Sequence, residues 1–342
     1  MQTKKLFLSM LFLTLMILSA CQSAESGEAT QTETETEPQE RTDVTVILDW
    51  VPNTNHTGLF VAQEKGWFEE NGLTVNIIQP GEAGVEQAVA SGSAEFGVSY
   101  QEAVTMARAE DVPIVSIAAV IQHNTSGFAS RAEVGIEGPA DFEGKTYGSF
   151  GSPVEKPILD LLMSCADADG DQVEFIDTGY ADFLSITERD VDFAWIFYGW
   201  DGINAENKGI DLNVVMLNEW QECVPDYYTP VLITNETLIS EQPDIAAAFM
   251  AATARGYNFA IENPDEAVDI LLAAAPESDT ELVKASQEWL AEQYQADAPQ
   301  WGVQSEEVWQ RYSDWLAGQG ILAKTIDGAT AFTNEFLPTD EN

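Results

Sequence analysis

The sequence predicts an α/β protein of two lobes, each built on a mainly parallel sheet with helices on both faces. The chain has 342 residues, which is room for two domains, since roughly 100–200 residues is typical of one. Its hydrophobic content of 45% suffices for a large core. From Val44 onward, short strand-like runs alternate with helical segments, a pattern typical of parallel sheets.

The first series of elements predicts one sheet and its covering helices. Strands are expected at 44–48, 74–78, 95–99 and 114–120, and helices at 59–71, 85–90 and 102–108. Gly72 is expected to close the first of these helices, because glycine adopts the left-handed conformation that ends a helix.

The second series predicts a second sheet, followed by a return to the first. Strands are expected at 145–148, 173–176, 193–197 and 214–217, with helices at 154–164 and 181–187. A strand at 231–234 leads back to the first lobe, and helices follow at 243–261, 264–274, 280–294 and 305–316. We therefore expect lobe 1 at 43–128 plus 231–342 and lobe 2 at 129–230, with hinge candidates near 127–131 and 228–231.

The N-terminus has the pattern of an exported protein. Residues 1–20 contain two lysines followed by an apolar run that is shorter than the roughly 20 residues of a spanning helix, which is typical of a signal peptide. The run ends in Leu18-Ser19-Ala20-Cys21, which resembles the lipobox of bacterial lipoproteins, so Cys21 is the expected lipid anchor. Residues 21–42 are polar and predict a flexible tether, and the protein is expected outside the cytoplasm, attached to the membrane.

Composition excludes several classes of function. Fourteen Lys and Arg stand against 58 Asp and Glu, a net charge of −44, so nucleic acid is not an expected partner. Two histidines without metal-ligand spacing predict no metal site, and no cofactor or catalytic motif is found. Of the remaining cysteines, Cys165 and Cys223, the sequence favours two buried thiols over a disulfide.

The densest cluster of polar and aromatic residues follows the first strand. The segment Asp49-Trp50-Val51-Pro52-Asn53-Thr54-Asn55-His56-Thr57-Gly58 offers an indole face, amide groups and an imidazole at the carboxyl end of a strand, where open parallel sheets bind ligands. A small planar heterocycle suits these groups. The alternative is a turn in which Asn and Thr cap the following helix.

Candidates in other loops occupy similar positions. Tyr100 follows the third strand, and Trp195, Tyr198, Trp200 and Asp201 lie at or beyond the end of the 193–197 strand. Trp195 alternatively packs in the core. Ser152 and Glu155 frame Gly151-Ser152-Pro153-Val154-Glu155, which favours a helix cap at Ser152 and leaves a ligand contact of Glu155 open.

The motif at 49–58, followed by Ala62-x-x-Lys65-Gly66-Trp67-Phe68, resembles the thiamine-pyrimidine-precursor binding proteins of bacterial ABC importers. The fungal pyrimidine synthases belong to the same group. The resemblance covers most of residues 43–320. It implies a two-lobed fold like that of periplasmic binding proteins, with the ligand clamped between the lobes. The expected ligand-binding residues are Trp50, Asn53, Asn55, His56, Tyr100, Ser152, Glu155, Trp195, Tyr198, Trp200 and Asp201.

The resemblance implies a solute receptor rather than an enzyme. The expected cargo is an aminopyrimidine of the formylamino or hydroxymethyl type. The protein is expected to be a monomer that delivers this cargo to an ABC permease for thiamine salvage. A riboflavin precursor or another small solute is the alternative cargo. The synthases carry a run of cysteines, Cys-Cys-Cys-Phe-Cys, that is lacking here, so a pyrimidine-synthesising enzyme is the weaker alternative.

Overall fold

A computed structural model describes residues 41–81, 84–179 and 181–339. The predicted signal peptide, Cys21 and nearly all of the predicted tether lie outside these residues. The described part belongs to one compact unit, Glu40–Asn342. No helix in it is both long and apolar enough to cross a membrane.

Ten strands form two five-stranded sheets. They are β1 (Thr42–Ile47), β2 (Leu73–Ile78), β3 (Phe96–Ser99), β4 (Ile114–Ala119), β5 (Ser126–Arg131), β6 (Thr146–Ser149), β7 (Glu174–Asp177), β8 (Phe193–Phe197), β9 (Leu212–Met216) and β10 (Val231–Asn235). The first sheet has the order β2-β1-β3-β10-β4 and the second the order β7-β6-β8-β5-β9.

Each sheet contains one strand that runs against its neighbours. In the first sheet β1 pairs in parallel with β2 and β3, and β10 is antiparallel to β3 and β4. In the second sheet β6 pairs in parallel with β7 and β8, and β5 is antiparallel to β8 and β9. The antiparallel strand follows each passage of the chain from one sheet to the other. The prediction of an α/β fold with mainly parallel sheets is confirmed.

Helices cover the sheets and make up most of the C-terminal third. They are α1 (Thr57–Glu64), α2 (Trp67–Glu70), α3 (Val85–Ala90), α4 (Gln101–Ala109), α5 (Glu155–Cys165), α6 (Phe183–Ile186), α7 (Ile203–Asn207), α8 (Glu236–Glu241), α9 (Pro243–Glu262), α10 (Pro264–Ala274), α11 (Thr280–Ala291), α12 (Glu306–Gly318) and α13 (Gly328–Ala331). The prediction of one helix over 59–71 is wrong. Gly66 adopts a φ of 71° and separates α1 from α2.

The hinge candidate at 127–131 lies in a strand, and its role as a hinge stays a prediction. These residues lie in β5, which pairs with β8 on one side and β9 on the other. The sequence Ser-Gly-Phe-Ala-Ser-Arg has no β-branched residue, so local propensity gives no strand signal. Gly127 is required there because an added Cβ would lie 2.5 Å from the Val215 carbonyl oxygen. The strand spans the boundary expected at 128/129, and the division into two lobes stays a prediction.

The two cysteines form a disulfide, so the expectation of two buried thiols is wrong. Cys165, the last residue of α5, is joined to Cys223 with a Cα–Cα distance of 6.2 Å. The Cys223 carbonyl oxygen accepts a hydrogen bond of 2.8 Å from the Trp315 indole of α12. Residues far apart in sequence meet here because the segment after β9 folds back over α5, which spacing alone does not reveal.

Candidate functional site

The ends of strands from both sheets meet at one aromatic contact. Tyr100, directly after β3, stacks on Phe197, the last residue of β8, with ring centroids 6.0 Å apart. The Tyr100 hydroxyl donates a 2.6 Å hydrogen bond to Asp49, which follows β1. The carboxyl ends of β1, β3 and β8 therefore converge, as open parallel sheets require for a ligand site. We name this region, formed by 48–56, 99–102, 150–155 and 197–202, the strand-end junction.

The Asp49–His56 loop is held by an internal network. His56 is fully buried, and its Nε2 lies 2.6 Å from Asp49 Oδ1. The Asn53 amide N–H donates to His56 Nδ1 over 3.2 Å. Nδ1 of His56 therefore accepts from the loop backbone, and Nε2 faces the Asp49 carboxylate. Burial favours a raised pKa for Asp49, but the interactions with His56 and Tyr100 prevail and hold that pKa below its usual value.

Asn53 acts in this structure as the cap of a short turn. Its side-chain oxygen accepts from the Asn55 amide over 2.9 Å, and its side-chain nitrogen donates to the Val51 carbonyl over 3.0 Å. The polar groups of Asn53 and both ring nitrogens of His56 are thus used within the loop. A direct contact of either residue with a ligand stays a prediction, and the capping alternative describes what the loop does here.

The turn is tied to the C-terminal part of the chain, and Trp50 is exposed beside it. The Asn55 carbonyl accepts from the Tyr257 hydroxyl of α9 over 2.7 Å, and the Thr54 carbonyl accepts from the Tyr294 hydroxyl over 2.6 Å. Trp50 is 38% exposed, so its indole is available as an aromatic surface. Asn55 is half-buried beside it. A rigid loop with an exposed indole suits stacking on a flat ring.

Glu155 organises the loop after β6 on the opposite side of the junction. It is 1% exposed, and its two oxygens accept hydrogen bonds of 2.6–3.1 Å from the groups of five residues: Tyr147, Ser149, Phe150, Gly151 and Ser152. Burial, reinforced by the Glu155 charge, raises the pKa of the Tyr147 hydroxyl well above its usual value.

Only half of the capping box predicted at this loop is formed. The Glu155 carboxylate accepts from the Ser152 amide over 2.6 Å, but the helix starts at Glu155 itself, and no side chain caps it. Ser152 is half-buried. Glu155 therefore positions the loop, and a contact of Glu155 or Ser152 with ligand stays a prediction.

Strand β8 and the segment after it supply aromatic rings and a half-buried acid. Trp195 is half-buried, lies 5.2 Å from the Phe128 ring and 6.1 Å from the Phe150 ring, and its buried indole nitrogen has no partner among the described residues. Burial raises the pKa of Asp201 to about 7, with the Asp182 charge adding to the effect, although Asp201 accepts from the Phe197 amide over 3.4 Å. A carboxyl with this pKa can both donate and accept hydrogen bonds near neutral pH.

The remaining two candidates contact the C-terminal helices. The Tyr198 ring lies 5.5 Å from Trp289 of α11, and its hydroxyl donates to Glu206. Trp200 packs against the larger core cluster of the first sheet. Both side chains therefore help to join the segment after β8 to the first sheet and its helices.

The structure adds three residues to the junction that sequence reasoning did not select. Asp49 and Phe197 form the network and the stacking contact already described. Glu102, in the first turn of α4, has a pKa raised to about 8, mainly by burial and also by the charge of Glu86, and its Oε2 has no partner among the described residues. Asp49 belongs to the motif at 49–58 and was within reach of sequence analysis, whereas Phe197 and Glu102 gave no local signal.

The family assignment follows from the sequence comparisons. The model of the NMT1/THI5-like family matches residues 53–267. The chain belongs to the NMT1/THI5-like family. This confirms the resemblance found at the motif of residues 49–58.

Individual relatives of this family member span most of its length. A formylaminopyrimidine-binding protein of Halalkalibacterium halodurans is 33% identical over 95% of this chain and 97% of its own length. A 4-amino-5-hydroxymethyl-2-methylpyrimidine phosphate synthase of Legionella pneumophila is 23% identical over 86% of this chain and 92% of its own. The alkanesulfonate-binding protein SsuA of Xanthomonas axonopodis shares the fold, with a TM-score of 0.65, 14% identity, and coverage of 86% of this chain and 99% of that one.

Proposed function

We propose that this family member is the solute-binding component of an ABC importer and that it binds an aminopyrimidine precursor of thiamine at the strand-end junction. The observation that carries the proposal is the convergence of aromatic and carboxyl groups from both sheets at the Tyr100–Phe197 contact. The full-length similarity to a formylaminopyrimidine-binding protein supports the same ligand class.

The chemistry of the junction favours an aminopyrimidine over an anion. A 4-aminopyrimidine presents an amino donor beside a ring-nitrogen acceptor, and a neutral carboxyl can satisfy both. Asp201 has a pKa raised to about 7, so a neutral carboxyl group is present in the junction near neutral pH. The loops of the junction contain no Lys or Arg, whereas an anion such as a sulfonate requires cationic or N–H-rich surroundings.

In this proposal two aromatic groups bind the faces of the ring. Trp50 provides an exposed indole on the side of the first sheet, and Trp195 an indole on the side of the second, with an unpartnered N–H among the described residues. Stacking of a flat ring on such groups contributes about 1–3 kcal/mol per contact. Asn53, His56 and Glu155 support the loops rather than reading the ligand in this proposal.

A synthase is the competing function, because one of the relatives is named as a pyrimidine phosphate synthase. The fungal synthases were expected to carry a run of cysteines that this chain lacks, and its two cysteines in the described residues are joined in a disulfide. We therefore propose a receptor without enzymatic activity. A disulfide is also compatible with the oxidising exterior of the cell.

We further propose that the protein is a lipoprotein held at the outer face of the cell membrane by Cys21, with residues 21–42 as its tether. As a monomer, it would close two lobes, 43–128 plus 231–342 and 129–230, on the ligand and dock on the permease. Metabolic labelling with a radioactive fatty acid tests the anchor. Label is expected in the wild type and not in Cys21→Ser, and equal labelling of both contradicts the proposal.

Isothermal titration calorimetry with formylaminopyrimidine and hydroxymethylpyrimidine tests the ligand. Trp50→Ala is expected to weaken binding by about 1–3 kcal/mol, or roughly 5- to 150-fold, because a stacking surface is lost. Val51→Ala is the matched control, since Val51 is adjacent and 42% exposed but has no aromatic ring. Failure of the wild type to bind either pyrimidine, while it binds an alkanesulfonate, would overturn the assignment.

A further inference from the structure

The chain passes between the two sheets twice, and one histidine contacts both passages. The first connection, 120–125, joins β4 to β5 and contains His123. The second, 217–230, joins β9 to β10 and contains Asp226. Asp297 lies in the segment between α11 and α12. Any change in the relative position of the sheets must alter the backbone of these two connections. A side chain that joins the two connections can therefore affect such a change.

His123 lies between two carboxylates. Its Nδ1 is 2.6 Å from Asp226 Oδ2, and its Nε2 is 2.9 Å from Asp297 Oδ1. The second oxygen of Asp226 accepts from the backbone amides of Asn124, over 2.9 Å, and Tyr227, over 3.0 Å. Asp226 is thus bonded to both connections, and its side chain is only 12% exposed.

The geometry itself assigns a positive charge to His123. Each ring nitrogen faces a carboxylate oxygen, which can only accept, so each nitrogen must carry a hydrogen and the ring is an imidazolium. Hydrogen bonding to Asp226 is the main cause that raises the pKa of His123 to about 9. Partial burial opposes that rise, and Asp297 adds to it. His56 differs, because a backbone N–H donates to one of its nitrogens.

Other charged and titratable groups border the same place. A cavity of about 480 Å³ is lined by His123, Asp226 and Asp297 together with Tyr228 of the second connection and Arg311 of α12. The Tyr228 hydroxyl accepts from the Ser305 amide over 2.9 Å, and its pKa is raised, chiefly by burial. Arg311 is the other cationic side chain among the residues that line this cavity. Loss of the His123 proton therefore leaves two neighbouring carboxylates without the cation that they share.

We propose that His123 is a pH-sensitive latch that fixes the two connections between the sheets, closed when the imidazolium is charged and released when it loses its proton. The stabilisation by His123 is fully present below about pH 6.5, the usual pKa of histidine, and is lost as pH rises through about 9. The latch is independent of the proposed ligand, since it involves only groups outside the strand-end junction.

Hydrogen exchange and NMR on the ligand-free protein test the latch. The chain has two histidines, so the ¹³C-labelled imidazole signal that disappears in His123→Gln belongs to His123. The titration midpoint of His123 is expected near pH 9 in the wild type and at a lower pH in Asp297→Asn. The Asp297 side chain is 84% exposed, so this substitution is not expected to disturb folding. A wild-type midpoint below 7.5 overturns the proposal.

Two substitutions at the latch give opposite expectations. At pH 7.5, His123→Gln is expected to lower the exchange protection of amides in 120–125 and 217–230 by about tenfold. The wild type is expected to lose protection at the same amides to the same extent when the pH is raised to 10, after correction for intrinsic exchange. His123→Arg keeps a cation at both pH values and is expected to abolish that alkaline loss. The proposal fails if His123→Gln leaves protection unchanged at pH 7.5, or if His123→Arg still loses it at pH 10.

Discussion

Reduction of the Cys165–Cys223 disulfide is expected to destabilise the protein substantially. The bond joins residues 58 positions apart and closes a loop that contains β7, β8 and β9. In the chain-entropy description, a loop of this length restricts the unfolded state by about 4 kcal/mol at 25 °C. For a compact unit of about 300 residues, this corresponds to a thermal midpoint lower by about 7 °C.

Calorimetry of the wild type with and without a thiol reductant measures this effect. Cys165 is exposed, so a reductant can reach the bond without unfolding the protein. The double substitution Cys165→Ser plus Cys223→Ser is the matched variant. It is expected to melt at the temperature of the reduced wild type and not to respond to reductant. A thiol titration that shows full reduction together with an unchanged midpoint would refute the reasoning, because the loop would then restrict nothing.

Three further expectations concern packing, a buried acid and a loop. Gly256→Ala is expected to lower the free energy of unfolding by about 3 kcal/mol in chemical denaturation, because the added Cβ would lie 2.0 Å from the Gly58 carbonyl oxygen. Gly318 has open space around it, so Gly318→Ala is the control and is expected to be neutral or slightly stabilising. The pKa of Asp201 is raised to about 7, so ionisation of Asp201 destabilises the folded state as pH rises from about 4 through 7. Asp201→Asn is therefore expected to raise the thermal midpoint relative to wild type at pH 8 but not at pH 4. Glu155→Gln is expected to lose roughly 2–4 kcal/mol in urea unfolding, since an amide has one acceptor oxygen where the carboxylate uses two, and an unchanged midpoint would contradict its role in holding the loop.

Local sequence patterns predicted most elements of the fold. The strand at 193–197 and the helices at 85–90 and 264–274 have the predicted bounds, because hydrophobic periodicity and flanking Gly, Pro and Asn residues are local signals. The return of 231–234 to the first sheet was also predicted. Strand β5 was missed, since its small residues are selected by close contact with β9 rather than by strand propensity.

The sequence predicted that the candidate residues lie at strand ends, but it did not show the contacts that these residues make. The motif at 49–58 indicated the carboxyl end of β1, and the structure places Tyr100 and the end of β8 beside it. The sequence could not show that the Asn53 amide closes its own turn. Nor could it show that the Glu155 oxygens accept hydrogen bonds from five residues of β6 and the loop after it. Those partners depend on loop conformation, which residue type does not determine.

By itself, the sequence determined the α/β class, the order of most strands and helices, and the family, because each of these follows from the order of residues along the chain. Only the tertiary structure decided the disulfide, the surroundings of the two histidines and the pairing of Tyr100 with Phe197. His56 and His123 are the same residue type, yet one accepts a hydrogen bond from a backbone amide, while the other lies between two carboxylates and is charged. Charge and covalent pairing depend on neighbours in space, and those neighbours come from positions up to 174 residues away.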